Sequence, residues 1–519
     1  MRQALKRKAG NRGAVSDVRS LPAPVRGWYV ADGLASAPER TAYVLDNWFP
    51  EQDACRLFRG SISHATGMGS GNVETLMSYV SGTTKLLFAC ANNAIYDVTS
   101  AGAVGAAAVS SLTNNRWEHV QFRTTGTAYL WACNGADAPR AYNGSSWVTP
   151  SITGITASTI DHVWTHARRL FFVIKNTMDF AYLPVDSFQG AAAVFSLGGV
   201  FSKGGKLLMG ATWSSDAGQD LQDLCAFISS EGEVAVYSGI NPGSATEWSL
   251  VGVYQVGKPL SKRSAMKAGG DLLIMTQSGI VPLSRAVALD QAALAEAAVT
   301  RPIAPEWKRI VETRLDRAEW QITPWLTGQM AIVTVPNAGA EDKTQFVSNI
   351  VTGAWCRRKG WGAVCFGVHD NKLYYGASGG RVFQAEIGGQ DEGSQINGTL
   401  VHSWTGLGSP AETKVMQLAQ PLMESTLSNE PTMAIATDFA YSDPTPVSAT
   451  STGLGSVWGT AIWGTGIWGG GKRQIKDWRA VAGSGSYIAL ILQASVSSGF
   501  DQTVRYTAAN LVYEKGVVL

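Results

Sequence analysis

Charge is what this 519-residue chain has least of: Lys, Arg, Asp and Glu make up 16% of it, where ordinary domains carry roughly 25%. The net charge of +2 leaves no global field of the kind that marks a nucleic-acid or membrane-surface binder. Cysteine is sparse, at positions 55, 90, 133, 225, 356 and 365, and no two form a C-x-x-C pair or a Cys/His cluster with zinc spacing. Cys90, Cys133, Cys225 and Cys365 sit in apolar runs such as "LLFACAN", so they read as small buried hydrophobes in a reducing compartment. No apolar stretch follows the basic "MRQALKRKAG" as a signal peptide would need, and the longest apolar run, near "YIALILQASV", is far too short for a membrane span. These absences predict a protein made soluble in a cytoplasm, with no membrane-spanning segment.

Catalytic signatures are missing as well. There is no G-x-x-x-x-G-K-[ST] loop and no H-E-x-x-H. "GMGSG" at 67–71 follows no strong strand and opens no helix, which argues against a nucleotide loop. His162 and His166 are four apart in a strand-like pattern, which reads as polar surface sooner than as a two-His metal site. "SSDAGQDL" at 214–221 approaches the Asp-box hairpin S-x-D-x-G-x-x-W, with Ser214, Asp216 and Gly218 in place, but Leu221 stands where Trp is required. A glycosidase would further need two carboxylates facing one cleft, and no spacing here points to such a pair. The expectation is no enzyme, no catalytic residue, no cofactor and no metal.

Glycine (57 residues), Trp (18) and β-branched residues are what the chain has in abundance, a composition that favours strands and tight turns. The middle of the sequence repeats one form: an approach strand, a very apolar strand, a turn and an alternating strand. It recurs at 76–98, 118–147, 162–184, 223–239, 263–286, from "QMAIVTVP" to Arg358, and at 363–387. A spacing of roughly 40–60 residues with three or four strands per unit predicts a β-propeller, in which sheets pack face to face around an axis. Strands such as "RLFFV" and "DLLIM", apolar on both faces, are what such packing needs. The predicted fold is therefore all-β: a propeller of six or seven blades, a small helical insertion, and a C-terminal β-sandwich-like domain. The insertion covers 285–318, where Ile310, Val311 and Leu315 fall at helical spacing and Pro305 sits at a helix start. The remaining divisions are a basic arm (1–26), a lead-in segment joining the propeller (27–75), blades over 76–284 and 319–388, and the C-terminal domain over 389–519.

Two features stand outside the repeats. Arg2, Lys6, Arg7, Lys8, Arg12, Arg19 and Arg26 face one acid, Asp17, within the first 26 residues; this is either a solvated tail or a docking arm. In "SVWGTAIWGTGIWGGG", Trp458, Trp463 and Trp468 recur every five residues, a period that fits neither helix nor strand. Three indoles left in water on one ribbon would be an aggregation hazard, so they are expected to be buried, under their own domain or in a neighbouring subunit.

Several stretches, in order, resemble one group of proteins. They are Leu21–Gly67 ("LPAPVRGWYVADGLASAPERTAYVLDNWFPEQDACRLFRGSISHATG"), 269–287 ("GGDLLIMTQSGIVPLSRAV"), 344–396, the Trp/Gly ribbon and the terminal "VYEKGVVL". The set resembles the tail nozzle proteins of short-tailed bacteriophages, also called tail tubular protein B or packaged-DNA stabilisation proteins. The resemblance implies a structural β-propeller subunit of the virion, assembled in the host cytoplasm as a homohexameric ring. Such rings sit below the portal and adaptor, contact the tail fibres or spikes, retain the genome, and pass double-stranded DNA without sequence-specific binding. Under this reading the basic arm (Arg2, Lys6, Arg7, Lys8, Arg12) docks on the connector and the Trp ribbon joins subunits. The alternative from another class is a receptor- or glycan-binding phage propeller using its aromatics for stacking. A glycan-cleaving propeller is a third.

Overall fold

In the computed structural model, which describes residues 16–216, 221–337, 339, 343–426, 430–444, 472–499 and 501–518, strands dominate and are joined by tight hairpins. Asn92 and Asn93 both take positive φ between Thr84–Ala91 and Ala94–Asp97, as do Asp370 and Asn371 between Cys365–His369 and Lys372–Ala377. Two left-handed residues in a two-residue loop match the right-handed twist of the flanking strands, and Asn and Asp tolerate that conformation best.

The hairpins of the unit Arg59–Ser394 form five separate sheets of three or four antiparallel strands. They open with the strands Thr75–Ser81, Glu118–Arg123, Ile160–His166, Leu207–Asp216 and Ala265–Ala268. The arrangement is propeller-like. The opening strands of the first four sheets lie beside one another in turn, that of the fourth lies against Asp271–Thr276 of the fifth, and apolar clusters fill the space between facing sheets. Met77, Phe88 and Cys90 of the first sheet meet Leu130, Ala132 and Tyr142 of the second. Trp131 and Cys133 meet Val163 and Phe172 of the third, and Phe171 and Phe180 meet Phe227 and Tyr237 of the fourth. The second strands are buried on both faces, as at Arg169–Ile174, because each sheet has a neighbour on either side. All six cysteines are buried free thiols within this packing or that of the second unit.

The expectation of six or seven blades is corrected: five sheets stand free. The strands Gln321–Trp325, Met330–Thr334, Thr344–Asn349 and Trp355–Lys359, and then Cys365–His369, Lys372–Ala377 and Arg381–Ala385, belong to one larger sheet. Backbone pairing beyond the expected edges causes this. Ser61–Thr66 adds antiparallel to Arg381–Ala385, so a strand from the start of the unit completes its last hairpins. Those strands pack on the first sheet through Cys365, Tyr374 and Val382 against Leu76, Leu87 and Ala89, which closes the ring. The closure is held by a buried ion pair. Arg358 Nη2 lies 2.7 Å from both oxygens of Asp391, Ser61 Oγ donates to Asp391, and Tyr375 OH donates to Ser61.

Helices occupy Leu283–Ala288, Gln291–Ala297 and Ala304–Glu312. Pro305 lies in the first turn of the last, which buries Trp307, Ile310 and Val311. Leu315 falls beyond this helix and is half exposed. Just before it, the buried Arg314 Nη1 donates to the Pro336 carbonyl at 2.7 Å.

The second unit joins Met1–Phe58 to Gln395–Leu519. Its longest strands, Glu412–Ser425 and Val504–Val518, run antiparallel, and Ser16–Pro22 pairs with the second of them from Ser16 opposite Glu514 to Pro22 opposite Ala508. Ile488–Val496, buried along its whole length, lies between Ser394–His402 and Thr432–Thr437.

Candidate functional site

The opening strands of the ring of sheets enclose a central cavity of about 470 Å³. Eight strands line it: the five that open the separate sheets, Asp271–Thr276 through Leu272, and Gln321–Trp325 and Cys365–His369 of the larger sheet. Consecutive residues of these strands line it, Glu118–Val120 in the second sheet and His162–Thr165 in the third, so both faces of the innermost strands border the cavity.

Lys262 and Arg263, just before the fifth sheet, reach across this cavity. Arg263 Nε donates to Glu118 Oε1 at 2.8 Å, Nη1 to the Glu74 carbonyl at 2.9 Å, and Nη2 to Thr75 Oγ1 at 2.9 Å and the Trp117 carbonyl at 2.7 Å. One planar guanidinium thus ties the first, second and fifth sheets, a task that suits its fixed fork of donors. Lys262 Nζ donates to both the carbonyl and Oδ1 of Asp161, each at 3.0 Å, and so reaches the third sheet. Burial by itself would raise the Glu118 carboxyl; Arg263, followed by Lys262, reverses this and holds it down at about 2. Burial, then the Arg263 charge, pushes Arg116 down to about 10.

His119 and His162 line the same cavity, His119 exposed to it and His162 half-buried; the protein packed around the cavity desolvates both imidazoles and pushes them down to about 4. His166 turns elsewhere, with Nδ1 3.2 Å from Thr212 Oγ1 and Nε2 2.9 Å from the Gly239 carbonyl. The two histidines singled out in the sequence therefore serve separate environments. Among the described residues no group of three or more His, Cys, Asp or Glu side chains could hold a metal. Glu118 is the only carboxylate among the described lining residues, and it is ionised and engaged, where a general acid of a glycosidase requires a raised pKa. What the arrangement does is cross-brace the sheets and obstruct the axis. Nothing in the spacing of Lys262 and Arg263 announced this role. The one available signal was two adjacent cations just before the strand Ala265–Ala268.

The near Asp-box falls where Asp216 pairs with Leu221 at the tip of the fourth sheet's first hairpin. The residues proposed from sequence, Arg2, Lys6, Arg7, Lys8 and Arg12 of the arm and Trp458, Trp463 and Trp468 of the ribbon, lie outside the described residues. The arm as first drawn to residue 26 includes the strand Ser16–Pro22, where Asp17 forms an ion pair with Lys515 at 2.8 Å. No helix among the described residues is long and apolar enough to cross a membrane. No family model matches the chain, and no curated protein is significantly similar to it.

Proposed function

We propose that this protein is a structural, non-enzymatic ring subunit of a short-tailed phage tail, of the nozzle type, that retains the packaged genome and conducts it during ejection. The observation that carries the reading is the ordered series of stretches from Leu21 to the terminal "VYEKGVVL" that resembles the nozzle group. The propeller-like ring of sheets is consistent with it. Arg263 reaches across this cavity to the first and second sheets, so the axis of one subunit offers no open path for a duplex. On this reading the DNA path runs between subunits, in a ring that is a homohexamer. Its partners are the portal or adaptor above, fibres or spikes at its side, and DNA held without sequence preference; its location is the virion. A channel lined with Lys and Arg would hold phosphates through counterion release, so the lumen is expected to be neutral or acidic.

Electron microscopy of the purified protein, alone and with its connector partners, tests the proposal. Closed rings that cap DNA-filled heads are expected; a strictly monomeric protein that binds no connector would overturn it. Replacing Trp458, Trp463 and Trp468 together by Ala is expected to yield folded monomers, read by size-exclusion chromatography with light scattering; rings that persist would reduce the ribbon to local packing. A truncation testing the arm stops at residue 15, because removing Ser16–Pro22 also deletes a strand. It is expected to keep the fold and lose attachment to heads.

A further inference from the structure

The five separate sheets differ in how their outermost strands are closed off. In the first, Ile95 is bonded on its outer side: its N–H donates to the Val109 carbonyl and its carbonyl accepts from Ala108, each at 2.8 Å. In the second the outermost strand is only Trp147–Val148, and in the third it is Ala193–Ser196. In the fifth, the Ile280 N–H donates to Thr300 Oγ1 at 3.0 Å and its carbonyl accepts from Val299 at 2.9 Å. The fourth sheet has no such closure. Its outermost strand, Trp248–Gln255, is eight residues long and pairs with Glu233–Gly239 on one side; no strand among the described residues pairs with the other. Leu250, Val251 and Val253 are 46%, 52% and 38% exposed. From 248 to 257 the sequence reads "WSLVGVYQVG", without charge or proline. Open edges are ordinarily guarded by charge, proline, shortness or cover. The one guard here is a bulge at Val251, and it carries an exposed valine in place of a charge.

An open edge recognises its partner through the backbone, because its free N–H and C=O groups are complementary to another extended strand. The flanking charges say which strand. Glu247 stands just before this one and Lys258 just after it, both exposed. Antiparallel pairing of two copies sets the Glu247 end of each against the Lys258 end of the other, whereas parallel pairing would set like charges together. Lys258 Nζ already meets Glu231 at 2.7 Å, but an ammonium has three donors and serves a second carboxylate. The same pairing brings the exposed Leu250, Val251 and Val253 of the two copies next to one another, where cross-strand apolar contacts form. We propose that Trp248–Gln255 is a self-association edge that pairs antiparallel with the same strand of a second copy of this chain. Such a contact is isologous and closes at two copies, so it does not grow into a fibre. It is separate from the ring contacts proposed above and does not rest on them.

Sedimentation equilibrium of the full chain tests this. A reversible doubling of mass is expected, with a Kd of roughly 10–100 µM, since one strand pair is smaller than the ~800 Å² per partner of a standard interface. Dilution to nanomolar concentration removes this contact. Leu250→Lys together with Val253→Lys, both at exposed positions, is expected to weaken the doubling at least about tenfold with an unchanged unfolding midpoint. Glu247→Lys alone is expected to weaken it about threefold, and Glu247→Lys with Lys258→Glu to restore it. The six native cysteines are buried, so Val251→Cys adds one accessible thiol, which is expected to cross-link copy to copy through a short bismaleimide. No doubling up to about 200 µM, doubling that the paired lysines leave unchanged, or doubling without the cross-link would each overturn the proposal. Rings that assemble without this pairing would overturn it and leave the ring reading standing; pairing without rings would do the reverse.

Discussion

At the residue scale, the chain concentrates its electrostatics in a few buried groups, and each makes a measurable demand. Glu118 and Arg263 are both buried and mutually satisfied, so Glu118→Gln leaves a guanidinium without its counter-charge. Breaking a buried pair from one side costs about 3–5 kcal/mol; denaturant unfolding of Glu118→Gln should show a loss of that order, and Arg263→Lys should also destabilise because one ammonium cannot reach the same acceptors. The Glu118 carboxyl is depressed from an ordinary 4.5 to about 2. Its contribution is therefore complete above pH 4.5 and is lost as pH falls toward 2. His402 gives a second window. It is buried, its Nε2 is 2.8 Å from Tyr506 OH, and burial lowers it from 6.5 to about 4. The unfolded chain takes up that proton first, so stability falls as pH drops from 6.5 to 4, by up to about 3 kcal/mol. In His402→Gln the slope of unfolding free energy against pH across that window should be shallower.

At the element scale, contact between neighbouring sheets depends on absent side chains as much as on present ones. Gly210, on the first strand of the fourth sheet, meets the Trp164 ring of the third so closely that an added Cβ would lie 2.3 Å from Cζ2. Gly210→Ala should force the indole to shift and cost about 1–3 kcal/mol, visible as a lower unfolding midpoint and a changed Trp fluorescence spectrum. The periodic strand pattern was legible in the sequence because central strands buried on both faces must be continuously apolar, as "RLFFV" is. The Asn-Asn and Asp-Asn hairpins were legible for a similar local reason, since few other residues accept two positive φ values in a row. The extent of the last helix was less so. Leu315 keeps the apolar period of Ile310 and Val311, but the helix ends at Glu312, with Thr313 at its C-terminal cap.

At the scale of the whole molecule, the ring of sheets is closed by a strand taken from far along the chain. Ser61 and Asp391 are separated by 330 residues and joined by one hydrogen bond in a buried cluster with Arg358. Closure through Ser61–Thr66 makes the first and last parts of this unit interdependent, so Asp391→Asn is expected to lower the stability of the unit as a whole. Hydrogen exchange should show the loss spread across the first sheet and the strands from Cys365 to Ala385 together. A loss confined to residues near 391 would mean that the ring does not depend on this pair. The Arg263 brace acts on the same scale from inside, by occupying the axis around which the sheets pack.

The amino-acid sequence by itself determined the strand-rich character, the repeating hairpins, the burial of the cysteines and the helical segment near Pro305. Each of these follows from local periodicity, turn chemistry or side-chain hydrophobicity, which a short window of residues carries in full. Only the tertiary structure decided which strands join which sheet, that Ser16–Pro22 pairs with Val504–Val518, and that Lys262 and Arg263 converge on Asp161 and Glu118. Edge pairing is made by backbone groups that every residue shares, so it leaves no mark on side-chain pattern. The cross-brace arises where residues distant in sequence meet, and its chemistry exists only once the chain has brought them together.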